Sequence, residues 1–169
     1  GAVPDTTLLR TLEGVDLLRR YPDPGVLRAR LAERHGVDPE RVLVTAGGDD
    51  ALDRLCRAVL EPGRTLVLPT PAFEMTRRYA GLAGATIVEV PWDGPFPTAA
   101  VCAAIGPDTG LVALTSPNNP TGAVVPLEAL LRVATTARSA GAVVLVDLAY
   151  VEFADRDPTD AALALDNAV

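Results

Sequence analysis

Two apolar runs of this sequence each lead directly into side chains that could bind a ligand. A loop of composition Ser-Pro-Asn-Asn-Pro-Thr-Gly, residues 116–122, follows the first run and contains Asn119. The second run ends in Asp147, and Tyr150 follows three residues later. A carboxylate behind so apolar a run is costly to desolvate unless a cation or a strong donor meets it. We therefore expect Asn119, Asp147 and Tyr150 to form a polar binding site.

The 116–122 loop also has a plainer interpretation as a chain reversal. Asn-Pro and a following Gly both favour turns. A turn needs only some of these residues, however, so an amide of Asn119 directed at a ligand is the alternative.

Two further segments precede predicted helices and could contribute to the same site. In Ala-Gly-Gly-Asp-Asp, residues 46–50, the glycines and the N–H groups at the start of a helix could hold a phosphate, through Gly48 and Asp49. A tight turn followed by first-turn acids explains the same residues. Phe73 could stack on a planar ligand or anchor its helix to the core. The sequence has neither a G-x-G-x-x-G fingerprint nor a Walker lysine, which disfavours nucleotide binding.

The elements that must position these residues alternate along the chain. Short apolar runs rich in β-branched residues predict strands at residues 42–45, 65–68, 86–90, 111–115 and 142–146. Helical spacing predicts helices at residues 6–20, 24–35, 49–60, 73–82, 98–105 and 127–140. Such alternation predicts an α/β fold of three layers, α/β/α, with a mainly parallel sheet. Ligands of such sheets bind outside the carboxyl ends of the strands.

Composition excludes several classes of function. The 169 residues are 49% hydrophobic, which is enough for a sizeable core, and carry a net charge of -7. All 15 basic residues are Arg. This acidic balance disfavours nucleic acid and anionic membranes as partners. Cys56 and Cys102 lack the spacing of metal or redox motifs and are interpreted as small core residues. Without a leader or a long apolar run, we expect a cytoplasmic protein.

The ordered motifs resemble those of fold-type I pyridoxal-phosphate (PLP) aminotransferases, and most of all the histidinol-phosphate type. Besides the 116–122 loop, the resemblance rests on Val-Asp-Leu-Ala-Tyr-Val-Glu-Phe at 146–153, Tyr-Pro-Asp-Pro at 21–24 and Gly-Gly-Asp-Asp-Ala at 47–51. It extends from about Tyr21 to Val169. Leu148 stands where the family usually has Glu, one residue from the key Asp147.

The resemblance implies a role for each candidate residue. Asp147 would pair with the protonated pyridine nitrogen of PLP, so that the ring withdraws electrons from the substrate. Asn119 and Tyr150 would hydrogen-bond its phenolic oxygen. Phe73 would stack on the ring of the cofactor, and the N–H groups of Gly48 and Asp49 would bind its phosphate. Tyr21 would reach the cofactor phosphate of the neighbouring subunit in a homodimer.

The family's lysine, which attaches the cofactor covalently, has no counterpart here because the sequence contains no lysine. The resemblance places that lysine, and the arginine that binds the substrate carboxylate, after Val169. We therefore expect these residues to be part of a longer polypeptide. Residues 1–20 would form an N-terminal helical segment, and residues 21–169 would form the N-terminal part of an incomplete PLP-binding large domain.

Three functions stay open on the sequence. The first is transamination between an amino acid or amino-phosphate (histidinol-phosphate-like) and a 2-oxo acid. The second is PLP-dependent decarboxylation of an amino-acid phosphate, which the same pocket residues would serve. The third is a non-catalytic binding module with the PLP fold and no lysine.

Overall fold

The computed structural model describes residue 7 and residues 21–169. Apart from Thr7, the predicted N-terminal helical segment, residues 1–20, lies outside the described residues. The chain divides into two compact units, one reaching to Val44 and the other comprising Thr45–Val169.

The described part of the first unit contains one α-helix, α1, Gly25–His35. The carboxylate of Asp23 accepts the N–H of Gly25 at 2.8 Å, but the residue at the N-cap position is Pro24. Gly36, with φ 63°, ends the helix in the left-handed conformation that glycine adopts without strain. His35 is exposed in the last turn of the helix.

Two expectations for this unit are wrong. The helical spacing predicts that the apolar side chains of Val26 and Leu27 are buried, yet they are 67% and 50% exposed, and Ala32 is the buried residue of α1. Residues 42–45 form no strand, although Val42 is extended with φ -110° and ψ 120°. A strand needs a neighbour to accept and donate its backbone hydrogen bonds, and no strand of the described residues pairs with this segment.

The second unit is a four-stranded sheet with helices on both faces, which confirms the predicted fold class. Its strands are β1, Thr65–Thr70; β2, Thr86–Pro91; β3, Thr109–Thr115; and β4, Val143–Asp147. All the strand pairs are parallel, in the order β2-β1-β3-β4. The helices are α2, Gly48–Val59; α3, Glu74–Leu82; α4, Thr98–Ala104; α5, Leu127–Ser139; and α6, Thr159–Leu163.

Alternate residues of the strands enter two separate cores, because successive side chains of a strand point to opposite faces. On one face, strand residues such as Val112 and Leu114 pack with helix residues such as Val133 of α5. On the other face, Leu111 and its neighbours pack with side chains of α2 and α3. The sheet is therefore covered on both faces, as parallel sheets require.

The last three residues extend the sheet beyond β4. The N–H of Val144 donates to the carbonyl of Asn167 at 2.8 Å, and the N–H of Val169 donates to the carbonyl of Val144 at 2.9 Å. The side-chain amide of Asn167 donates to the carbonyls of Ala134 and Ala142, at 3.1 and 3.2 Å. These bonds place residues 167–169 parallel to β4, on the edge that β3 leaves open.

The two cysteines have no disulfide partner in the described part of the chain. Cys56 is 1% exposed, which confirms its place in the core, and burial followed by the charge of Asp53 raises the pKa of its thiol to about 11. Cys102 is half-buried and its sulfur accepts the hydroxyl of Thr136 at 3.5 Å. Among the described residues, no helix has the length and apolar character needed to cross a membrane.

Candidate functional site

Hydrogen bonds hold together the segments that follow three neighbouring strands. The N–H of Ser116, just after β3, donates to the carbonyl of Asp147 at the end of β4, at 2.9 Å. The side-chain amide of Asn118 donates to the carbonyl of Pro71, just after β1, at 2.9 Å. The carboxyl ends of β1, β3 and β4 thus meet at one edge of the sheet.

The 116–122 loop is a reversal, as its turn residues predict, and it is tightly held. The N–H of Asn118 donates to the carbonyl of Ala123 at 2.8 Å, and the N–H of Gly122 donates to the carbonyl of Asn118 at 2.7 Å. The Ser116 hydroxyl accepts the N–H of Val125 at 3.0 Å inside the protein. These bonds leave Asn119 at the tip of a well-braced turn.

The two asparagines of this loop have different surroundings. Asn118 is 4% exposed, and its amide donates to Thr121 Oγ1 at 2.8 Å as well as to Pro71. Asn119 is half-buried, and its side chain makes no hydrogen bond to the part of the chain that the structure describes. Asn119 therefore has an amide available for a ligand, whereas both N–H bonds of the Asn118 amide are used within the protein.

Asp147 is less buried than the sequence predicts. Its carboxylate is half-exposed and forms no ion pair with any described residue. Its Oδ1 accepts the N–H of Ala149 at 3.0 Å, which orients the carboxylate at the end of β4. Because Asp147 is the last residue of its strand, its carboxylate is only partly buried, and the cation that the sequence predicts for it would come from a bound cofactor.

Tyr150 lies just beyond this turn and precedes a short 3-10 helix, Val151–Phe153. Its side chain is 44% exposed, and its hydroxyl has no hydrogen-bond partner within residues 21–169. The phenol is free to donate to, or to accept from, a ligand bound beside Asp147.

The start of α2 presents backbone donors. Gly47 has φ 86° and ψ -179°, a conformation that favours glycine, and the N–H groups of Gly48 and Asp49 have no acceptor among the described residues. The carboxylate of Asp50 accepts the N–H of Ala46 at 2.9 Å and the Nε–H of Arg54 at 2.7 Å. Arg54, followed by the Ala46 N–H, holds the pKa of Asp50 below its usual value.

This arrangement suits an anion. A helix start with unsatisfied N–H groups carries a partial positive charge. The negative charge of Asp50 in the first turn of α2 is balanced by the positive charge of Arg54, with which it forms an ion pair. Asp49 is exposed. The pKa of the Tyr79 hydroxyl on the neighbouring helix α3 is raised, first by desolvation of that hydroxyl and second by the negative charge of Asp49.

The remaining two candidate residues, Phe73 and Tyr21, make no hydrogen bond to the loops described above. Phe73 precedes α3 and is half-buried against the core between the sheet, α2 and α3. Part of its ring therefore anchors α3 to the core, which is one of the two roles that the sequence allows. Tyr21 lies in the first unit and is fully exposed.

Sequence reasoning missed two residues of this region, Ser116 and Asn118. Both are polar and buried directly behind an apolar strand. Such side chains must be hydrogen-bonded, and this is the signal that could have identified them.

Comparison with known proteins identifies the family. Residues 15–168 match the class I and II aminotransferases. The chain is 42% identical over 155 residues to a histidinol-phosphate aminotransferase of Stenotrophomonas maltophilia (strain R551-3), covering 86% of this chain and 42% of that protein. It is 44% identical over 146 residues to the enzyme of the same name from Xanthomonas campestris pv. campestris (strain B100), covering 81% of this chain and 40% of that protein.

A solved structure of a similar protein has the same fold. Histidinol-phosphate aminotransferase from Sinorhizobium meliloti in complex with pyridoxal-5'-phosphate superimposes with a TM-score of 0.82 at 28% identity, covering 99% of this chain and 47% of that one. The chain thus spans less than half the length of these relatives. Since the family match covers most of its residues, the chain belongs to the class I and II aminotransferases.

Proposed function

We propose that the full-length protein is a PLP-dependent transaminase. It moves an amino group between an amino acid or a histidinol-phosphate-like amine and a 2-oxo acid. One observation supports the proposal: in a chain of this family, hydrogen bonds join the segments that follow β1, β3 and β4 at one edge of a parallel sheet, and Asn119, Asp147 and Tyr150 belong to the segments after β3 and β4. The names of the similar proteins supply the substrate class.

The donors and acceptors of the second unit fit PLP. The cofactor has a phosphate dianion, a pyridine nitrogen that carries a proton, a phenolic oxygen and a flat ring. The helix N–H groups of Gly48 and Asp49, which have no acceptor within residues 21–169, suit the phosphate, and the half-buried carboxylate of Asp147 suits the protonated nitrogen. The unpaired amide of Asn119 and phenol of Tyr150 suit the phenolic oxygen.

When bound, PLP supplies an electron sink for negative charge at the substrate α-carbon. Asp147 holds the proton on the ring nitrogen, and the Ala149 N–H keeps its carboxylate in one orientation. Asn119 and Tyr150 would hold the phenolic oxygen of the cofactor by hydrogen bonds. Phe73 presents the exposed part of its ring to one face of the cofactor.

The proposal extends beyond these residues. Residues 21–169 are the N-terminal part of the PLP-binding domain, and Tyr21 binds the cofactor phosphate of a second subunit in a homodimer. The lysine that attaches the cofactor and the arginine that binds the substrate carboxylate are expected outside these 169 residues, because the sequence has no lysine and spans less than half of its relatives.

The test is amino transfer from histidinol phosphate to 2-oxoglutarate by the full-length protein with PLP. Asp147→Asn removes the charge that holds the ring proton, and we expect the rate to fall by about 100-fold or more, as when one preorganised electrostatic contact is lost. Asp108→Asn is the matched control, because Asp108 is an exposed acid at the opposite end of β3. An Asp147→Asn protein with the parent's rate would refute the role of Asp147.

The same assay separates the rival functions. Carbon dioxide release from an amino-acid phosphate, without amino transfer, would support the decarboxylase. Reversible PLP binding without turnover, and without a borohydride-stable adduct, would support the binding module.

A further inference from the structure

The buried amide of Asn118 connects two loops that follow different strands. A primary amide has two N–H bonds, and here one donates to Pro71 O at 2.9 Å and the other to Thr121 Oγ1 at 2.8 Å. Pro71 is 47 residues away in the sequence, just after β1. The side chain is 4% exposed, so these bonds are shielded from water.

The backbone of Asn118 makes two of the bonds that close the reversal, through its N–H to Ala123 O and its carbonyl to the N–H of Gly122. Its side chain adds one bond within the loop, to Thr121, and one bond that joins the loop to the segment after β1. The local turn and the cross-link between the loops are therefore separate functions of one residue.

This cross-link joins the two segments that contain two of the proposed cofactor contacts. Phe73 is two residues beyond Pro71, and Asn119 is the neighbour of Asn118. We infer that Asn118 is a positioning residue, which holds Phe73 and Asn119 at the separation required for both to contact one planar cofactor. The inference rests on the proposed function, but it assigns no contact between Asn118 and the cofactor.

The first test is Asn118→Asp in the full-length protein. Aspartate has nearly the same shape, but its carboxylate cannot donate to Pro71 O or Thr121 Oγ1. We expect the Kd for PLP to rise about tenfold, the equivalent of about one well-made hydrogen bond. We also expect the pH midpoint of the absorption of bound PLP to move in the same direction as in Asn119→Ala, because both changes weaken the same contact.

A second readout needs no cofactor. In the protein without PLP, amide hydrogen exchange at Thr76, whose N–H donates to the carbonyl of Phe73 at 3.3 Å, should be faster in Asn118→Asp than in the parent, while exchange in β3 is unchanged. A residue that acts on general stability alone would not change the pH midpoint of bound PLP.

Thr121→Val and Thr121→Ser provide a matched pair if Asn118→Asp fails to fold. Valine keeps the shape of threonine but removes the acceptor of the Asn118 amide and of the Ala123 N–H, whereas serine keeps the hydroxyl that accepts both. We expect Thr121→Val to move the pH midpoint of bound PLP in the direction of Asn119→Ala, by less than Asn118→Asp, and Thr121→Ser to match the parent.

The outcomes separate the inference from the function on which it rests. If Asn119→Ala shifts the pH midpoint of bound PLP but Asn118→Asp does not, Asn118 is not a positioning residue and the proposed function stands. If Asn118→Asp does not fold, identical midpoints in both Thr121 variants would likewise show that Asn118 is not a positioning residue. If Asn119→Ala and Asp147→Asn leave PLP binding unchanged, the proposed site is wrong.

Discussion

The close approach of helix α2 to strand β3 depends on Gly110, and a single methyl group tests it. Gly110 is buried at the second position of β3. A Cβ added there would lie 2.7 Å from Val59 O and 2.9 Å from Leu60 Cδ2. Because an ordinary contact begins at 3.4 Å, the end of α2 would have to retreat by about 0.7 Å.

The predicted effect of Gly110→Ala is a difference between two terms. Overpacking a filled core costs about 1–3 kcal/mol, and the upper half of that range applies because the obstructing atom belongs to the backbone. Alanine in place of glycine within a strand regains about 0.5–1 kcal/mol of chain entropy. We therefore expect the free energy of unfolding to fall by about 1–2.5 kcal/mol.

Urea unfolding of the full-length protein measures this change, with Gly81→Ala as the control. Gly81 lies in α3 with no atom within 4 Å of an added Cβ, so alanine there should stabilise the protein by up to about 1 kcal/mol. If Gly110→Ala stabilised the protein as much as Gly81→Ala, the contact between Val59 and Gly110 would be refuted.

Two further predictions concern buried polar groups of the same unit. Ser116→Ala removes the acceptor of the buried Val125 N–H and should lower the free energy of unfolding by about 1–3 kcal/mol. The control, Ser139→Ala on the exposed face of α5, should change the free energy of unfolding by less than about 0.5 kcal/mol. Equal effects of the two substitutions would contradict the buried hydrogen bond. The raised pKa of Cys56, about 11, means that folding favours the protonated thiol, so its contribution to stability is complete below about pH 8.5 and is lost as the pH rises towards 11. Thermal unfolding across this range should therefore decline more steeply in the parent than in Cys56→Ala, and parallel curves would show that the thiol titrates normally.

The sheet was predictable because strands buried on both faces appear in the sequence as unbroken apolar runs. The structure extends the predicted 65–68 run to Thr70 and begins β3 at Thr109, since pairing continues beyond the apolar residues. Residues 42–45 have the same apolar character and form no strand. Composition indicates that a segment can be a strand, but only a neighbouring strand makes it one.

The candidate site was predictable to the level of the strand ends. Parallel topology alone places the residues that follow β3 and β4 at the same edge, so Asn119, Asp147 and Tyr150 could be grouped from their positions. The contact of Asn118 with Pro71 could not, because it joins residues 47 positions apart and depends on the order of the strands in the sheet. The exposure of Asp147 was missed because an apolar run indicates nothing about solvent access at its end.

The pairing of Asp147 with the pyridine nitrogen is the claim that most needs a direct measurement. Nitrogen-15 NMR of PLP labelled at the ring nitrogen, bound to the full-length protein at neutral pH, reports whether that nitrogen carries a proton. We predict a protonated nitrogen in the parent and in the Asp108→Asn control, and an unprotonated nitrogen in Asp147→Asn. A nitrogen that is unprotonated in the parent, or still protonated in Asp147→Asn, would contradict the proposed cofactor site.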